Sequence, residues 1–179
     1  MVHIPQELRD HILSFLPFRP KTKDELVYAL NDIFNWRLHK RHLAREKYGD
    51  IETWDTSCIT DMSELFIPYN DFNRDISGWN VSNVENFRSM FRNCRKFNVD
   101  LSAWNVERGE DFSHMFHGAR KFKRDLSKWK PRRARDMSYM MACSNMVYNL
   151  DAWAKYVDMN IPMKNIFYNA GMRRGHSMS

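Results

Sequence analysis

Glycine is scarce, with only six in 179 residues, and no glycine-rich phosphate loop, GxSxG elbow or HExxH pair can be read anywhere in the chain. A nucleotide cradle and the commonest hydrolytic centres are thereby set aside, and the chain reads as non-enzymatic, with no cofactor. Cysteine is scarcer still. Cys58, Cys94 and Cys143 are odd in number and widely spaced, which is neither a disulfide framework nor a CxxC zinc pair and fits a reducing compartment. No apolar run approaches the roughly 20 residues of a membrane-crossing helix. The opening "MVHIPQELRDHILSFLP" places Glu7, Arg9 and Asp10 where a secretory signal keeps its apolar centre, so secretion by a signal peptide is not expected. An intracellular chain is.

What is abundant is apolar and aromatic: 43% and 14% of residues respectively, enough for one folded domain with a sizeable core. These residues are arranged periodically. "FNRDISGWNVSNVENFRSMF" (72–91) and "FNVDLSAWNVERGEDFSHMF" (97–116) are nearly the same text 25 residues apart, and "ETWDTSCITDMSELF" and "FKRDLSKWKPRRARDMSYMM" flank them as further copies. Trp54, Trp79, Trp104 and Trp129 recur every 25 residues, and Trp153 follows after 24. Beyond each of the first four lie apolar columns: Met62, Phe87, Phe112 and Met137; Leu65, Met90, Met115 and Met140; Phe66, Phe91, Phe116 and Met141.

Within each copy these columns stand at relative positions 0, 3 and 4, which is one face of a short helix. Asp61, Asn86, Asp111 and Asp136 immediately precede them, as N-cap residues would. Upstream of three tryptophans, Asp75-Ile76-Ser77, Asp100-Leu101-Ser102 and Asp125-Leu126-Ser127 suit a brief strand, with the aspartates bonding local amides. The expected fold is therefore an α/β repeat, a short solenoid of strand plus short helix per 25-residue coil, with about five coils. One such unit cannot bury its own Trp, Phe and Met, whereas stacked copies cover one another. Each large side chain so buried contributes roughly 1.5–3 kcal/mol.

The pattern W-[DN]-[VT]-S-x-[VI]-x-[DN]-[MF]-x-x-[ML]-F…F-N-x-D-[IL]-S resembles the repeat of the BspA-like family, a leucine-rich-repeat relative also found in mycoplasma surface lipoproteins. The resemblance runs from Lys47 to about Phe167. It implies a leucine-rich-repeat-like fold and a role in adhesion and protein binding. No cysteine precedes Cys58 to take a lipid anchor, unlike the surface-exposed members.

Ahead of the repeats, residues 1–46 read as an N-terminal helical cap. Ile4, Leu8, Ile12, Phe15 and Leu16 share one helical face that Pro17 and Pro20 terminate, and a second helix opens at Thr22 with Glu25 completing a capping box. "IPQELRDHILSFLP" followed by "IFNWRLHKR" resembles an F-box, the module that docks on the Skp1 subunit of ubiquitin ligases; Pro5, Leu8, Ile12 and Leu16 would be the docking residues, and Trp36 the late tryptophan. The cysteine that usually precedes that tryptophan is missing. Residues 47–170 form the repeat domain and 171–179 a flexible tail.

Charge is the remaining asymmetry. Between Val106 and Arg135 ten bases face four acids, an excess equal to the +6 net charge of the whole chain. Arg95 and Lys96 lie one period before Arg120 and Lys121 and should stack with them on one face, which Lys123, Arg124, Lys128, Lys130, Arg132 and Arg133 extend. Such a face would take an acidic protein surface, with nucleic acid second, because no aromatic side chain is clearly left to stack on bases. His114 with His117, and His39 with His42, are three apart, but no further ligand recurs beside them, and they read as structural or surface histidines. The chain is thus expected to be a protein–protein interaction scaffold or adaptor. The alternatives are a structural component inside the particle of a large DNA virus, since such viruses encode similar proteins, and an F-box adaptor working with a Skp1-like subunit.

Overall fold

A computed structural model describes residues 5, 16–146, 150–158 and 160–170 of the chain. The first expected helix, with Leu8 and Ile12, lies outside these residues, as does the expected tail at 171–179. Helix α1 spans Lys23–Ile33. Its start is chemically marked: the Thr22 hydroxyl accepts from the amide of Glu25 at 3.2 Å. The Glu25 carboxylate reaches back to the amide of Lys21 at 2.7 Å, one residue earlier than in a standard capping box. Leu26, Ala29, Leu30 and Ile33 form its buried face. Helix α2 spans Leu38–Tyr48, buries only Ala44 and Tyr48, and stops at Gly49, whose φ of 68° few other residues adopt cheaply.

Beyond α2 the expected architecture is not what the chain builds. Among the described residues α1 and α2 are the only α-helices, short 3-10 turns occur at Ile51–Thr53 and Leu150–Ala152, and there is no strand. The chain is therefore not an α/β solenoid of strand plus short helix per coil. Parallel pairing is reduced to isolated bridges, Asp61 to Asn86, Asn86 to Asp111 and Asp111 to Asp136. They fall at the residues expected to cap helices, not at Asp75-Ile76-Ser77 and its equivalents.

In place of each helix stands a run of tight turns. In a helix the amide of Phe91 would donate to the carbonyl of Phe87; here that carbonyl accepts from Met90 at 3.1 Å, and Phe91 donates to Met115 of the next copy at 2.9 Å. The third residue of each such turn is left-handed: Ser89 and Asn93 (φ 54° and 61°), His114 and Gly118 (57° and 71°), Tyr139 and Cys143 (both 56°). A positive φ at that position alone, with a bond from the first carbonyl to the fourth amide, is the signature of type II turns. Such a backbone costs about 1–2 kcal/mol per non-glycine residue. What offsets it is a ladder between copies: Phe87, Ser89, Phe91 and Asn93 donate to Asp111, Ser113, Met115 and His117, and Phe112, His114, Phe116 and Gly118 donate to Asp136, Ser138, Met140 and Ala142, at 2.8–2.9 Å.

Aspartates and asparagines shape the remaining corners. Asp61, Asn86, Asp111 and Asp136 each accept from the amide two residues on, at 2.7–3.0 Å, and so do Asp75, Asp100 and Asp125. These are Asx turns, in which a side-chain oxygen replaces a backbone acceptor.

The core is the set of columns the period brings into register. Phe66, Phe91 and Phe116 are fully buried and stack with ring centroids 5.3 and 5.4 Å apart. Phe72, Phe97 and Phe122 form a second column at 5.9 and 5.7 Å. Trp54, Trp79, Trp104, Trp129 and Trp153 are all at least 96% buried, and each indole N–H finds a backbone carbonyl. Trp79, Trp104 and Trp129 donate to Ile51, Ile76 and Leu101, 28 residues earlier in each case. Trp54 has no earlier copy to use and donates to Tyr48 at the end of α2 at 2.8 Å. Helix α2 thus supplies the carbonyl that a preceding copy would have supplied, while Phe34, after α1, packs on Tyr69 and Phe72 at 4.7 and 5.7 Å. No helix among the described residues is long and apolar enough to cross a membrane.

Candidate partner-binding face

The segment after each pair of turns carries residues 70–74, 95–99 and 120–124 to one side of the stack, one copy above another. The amide of Arg95 donates to the Asn70 carbonyl at 2.8 Å, that of Asn98 to the Asn73 side chain at 2.8 Å, and that of Lys123 to the Asn98 side chain at 3.2 Å. Side-chain identity then changes from copy to copy on a constant frame. The first level carries Asn70, Asp71, Asn73 and Arg74; the second Arg95, Lys96 and Asn98; the third Arg120, Lys121, Lys123 and Arg124.

All ten basic residues singled out from the sequence are exposed, but they are not equivalent. Lys96 pairs with Asp71 at 2.7 Å and Arg132 with Glu107 at 3.7 Å. Within the same basic block, Arg108 pairs with Glu85 at 2.7 Å and Arg135 with Glu110 at 3.3 Å. In every one of these the acid belongs to the preceding copy. Sequence reasoning missed this neutralisation, although its signal was present: Asp71–Lys96, Glu107–Arg132 and Glu110–Arg135 repeat the spacing of the tryptophans.

What remains is narrower than the original block. Arg95, Arg120, Lys121, Lys123, Arg124, Lys128, Lys130 and Arg133 have no ion pair among the described residues. Arg124 is held by its own Nε donating to the Asn98 carbonyl at 2.8 Å. The Asp100 carboxyl is held below its ordinary range chiefly by the Ser102 amide and hydroxyl, with the charges of Arg124 and Lys128 adding to the effect. Levels about 5 Å apart, as the phenylalanine column shows, lie inside the screening length of roughly 8 Å at physiological salt. The stacked cations therefore repel one another.

Other candidate groups are placed as follows. Pro5 and Leu16 are exposed, Leu16 by 59%; Leu8 and Ile12 lie outside the described residues; Trp36 is 79% exposed. His39 and His42 are exposed on α2, and His42 faces Glu46 at 3.3 Å. His114 and His117 are half-buried with their Nδ1 atoms 3.4 Å apart. Among the described residues no three His, Cys, Asp or Glu side chains are grouped to hold a metal ion. Burial pushes the Cys94 thiol up to about 12, which makes it a poor nucleophile.

A family model described as "Mycoplasma protein of unknown function" matches residues 31–153. The match begins inside α1, earlier than the repeat text at Lys47, and ends at Trp153, the last of the periodic tryptophans. Neither a curated protein nor a solved structure matches the chain. Because the matched stretch covers more than half of the 179 residues and includes the whole tryptophan series, the chain belongs to that family, DUF285.

Proposed function

We propose that this protein is a non-enzymatic interaction scaffold whose third-level basic face, Arg120, Lys121, Lys123 and Arg124, docks on an acidic protein surface inside a cell or virus particle. The observation that carries the reading is selective pairing: Lys96, Arg108, Arg132 and Arg135 are neutralised by acids of the preceding copy, whereas these four, gathered on one level, are exposed without an ion pair among the described residues. An anionic partner relieves the repulsion between levels that water and salt leave in part. The repeated text, with its resemblance to BspA-like repeats, supports a binding role over a catalytic one. The test is retention on immobilised polyglutamate and on a single-stranded DNA oligonucleotide, with wild type and the reversal R120E/K121E/K123E/R124E. Salt-sensitive retention on polyglutamate that the reversal abolishes is expected. Retention on DNA alone would replace the acidic protein with nucleic acid, and equal behaviour of the two proteins would remove the face from the proposal.

A second reading, a substrate adaptor docking on a Skp1-like subunit, is favoured by one observation: Leu16 and Trp36 are exposed large apolar side chains of the N-terminal segment that the core does not use. Binding of purified Skp1 at micromolar concentration, lost in L8D/I12D, is the expected result for that reading, and no binding by the wild type discards it.

A further inference from the structure

The two left-handed turns at residues 112–119 bring His114 and His117 side by side on the outside of the stack, with Nδ1 of one ring 3.4 Å from Nδ1 of the other. Tyr139, directly above in the next copy, lies flat on the His114 ring at 5.0 Å and 3°. Its hydroxyl accepts from the Asn165 side chain at 2.9 Å, so the pair is oriented by two successive levels. For an N–H···N bond 3.4 Å is long. For two nitrogens sharing one ion it is well matched: bonds of about 2.0–2.1 Å to atoms 3.4 Å apart subtend about 108–116° at the metal. That is a tetrahedral bite, whereas a right angle would need the nitrogens about 2.9 Å apart at the same bond lengths.

We infer that His114 and His117 form a two-histidine site for a tetrahedral divalent ion of the zinc type, with water or a partner's side chain in the other two positions. Both Nδ1 atoms then act as lone-pair donors and both Nε2 atoms carry the protons. The surrounding charge is mixed. Arg92 and Arg88 of the level below act against a cation, while Asp111 and Asp136 act for it, as their influence on the His114 ring shows. The unassisted site is therefore expected to bind more weakly than a four-ligand structural zinc site does, and it need not be filled for the chain to fold. The neutral rings that a metal requires are favoured by burial, which lowers the proton affinity of both.

The test is titration of the full chain with Zn2+ alone by calorimetry at pH 7.5, alongside H114Q, H117Q and the control H39Q/H42Q, with Co2+ as a spectroscopic stand-in. One ion per chain is expected, with at least a tenfold loss of affinity in H114Q and in H117Q, no change in the control, and the intense visible bands of tetrahedral cobalt in wild type only. Melting of the metal-free variants within a few degrees of wild type confirms that the loss is local. No binding by the wild type, or binding that survives both single substitutions, would overturn the site, as would an octahedral cobalt spectrum.

Discussion

The indole N–H of Trp129 donates to the carbonyl of Leu101 at 2.8 Å, across 28 residues of chain. The same bond joins Trp79 to Ile51 and Trp104 to Ile76, so each tryptophan is both the filling of its own copy and a tie to the one before. A buried indole needs an acceptor for its single donor, and the period provides one at the same place in each copy.

Removing one such tie tests the stacking. Trp104 packs on Phe87 and Phe91 at 6.4 and 6.3 Å and is 96% buried. Trp104→Ala should destabilise the protein by about 3–5 kcal/mol, and Arg95→Ala, at an exposed site, by no more than about 0.5 kcal/mol. Denaturant midpoints of the two variants check this, and equal midpoints would contradict stacked copies.

The turns make a prediction of opposite sign to the one a helix makes. Glu64 is exposed with φ of 61°, and its amide donates to Arg88 of the next copy at 2.8 Å. Glu64→Gly relieves a left-handed non-glycine residue and should raise stability by about 0.5–1 kcal/mol. In the interior of a helix the same change would lower it by about as much. Gly118→Ala should do the reverse and destabilise by about 1–2 kcal/mol, because φ there is 71° and the added Cβ would meet the Asn93 side chain. Thermal melts of both variants give the signs.

How far the fold was legible follows from these residues. The period, the buried columns and the Asx turns at Asp75, Asp100 and Asp125 could be read from the text because each needs a particular side chain at a fixed spacing. The helices could not be told from turns. Apolar positions 0, 3 and 4 are satisfied by Phe87, Met90 and Phe91 in either form, and the left-handed positions that decide between them hold Glu64, Ser89, His114 and Tyr139 instead of glycine. Of the candidate face, its exposure and register were visible in the sequence. Its partial neutralisation was not, because the acids that pair with these bases stand one copy away and come beside them only when the copies stack.

Acid should unfold the protein in two stages with different origins. Burial, with Arg92 and Arg88 assisting at His114 and His114 with Arg92 at His117, lowers both histidines from their ordinary value of 6.5. The unfolded chain therefore binds more protons than the native one as pH falls below about 6.5, and this contribution to stability is present above that pH and lost below it. The lowered carboxyls of Asp55, Asp61, Asp75 and Asp100 act in a later window, below their ordinary 3.8. Stability measured from pH 7 to 5 should fall less steeply in H114Q/H117Q than in wild type. Parallel curves would show that the pair does not carry the first stage.

The stack is held by the backbone of one copy bonding to the next in place of closing on itself. Scalar couplings across hydrogen bonds, measured by NMR on isotopically labelled protein, read donor and acceptor directly. The expected result is coupling from the amide of Phe91 to the carbonyl of Met115, and from Phe116 to Met140, the pairs 2.9 and 2.8 Å apart. Coupling of Phe91 to Phe87 and of Phe116 to Phe112 would mean helical turns within each copy and would contradict it.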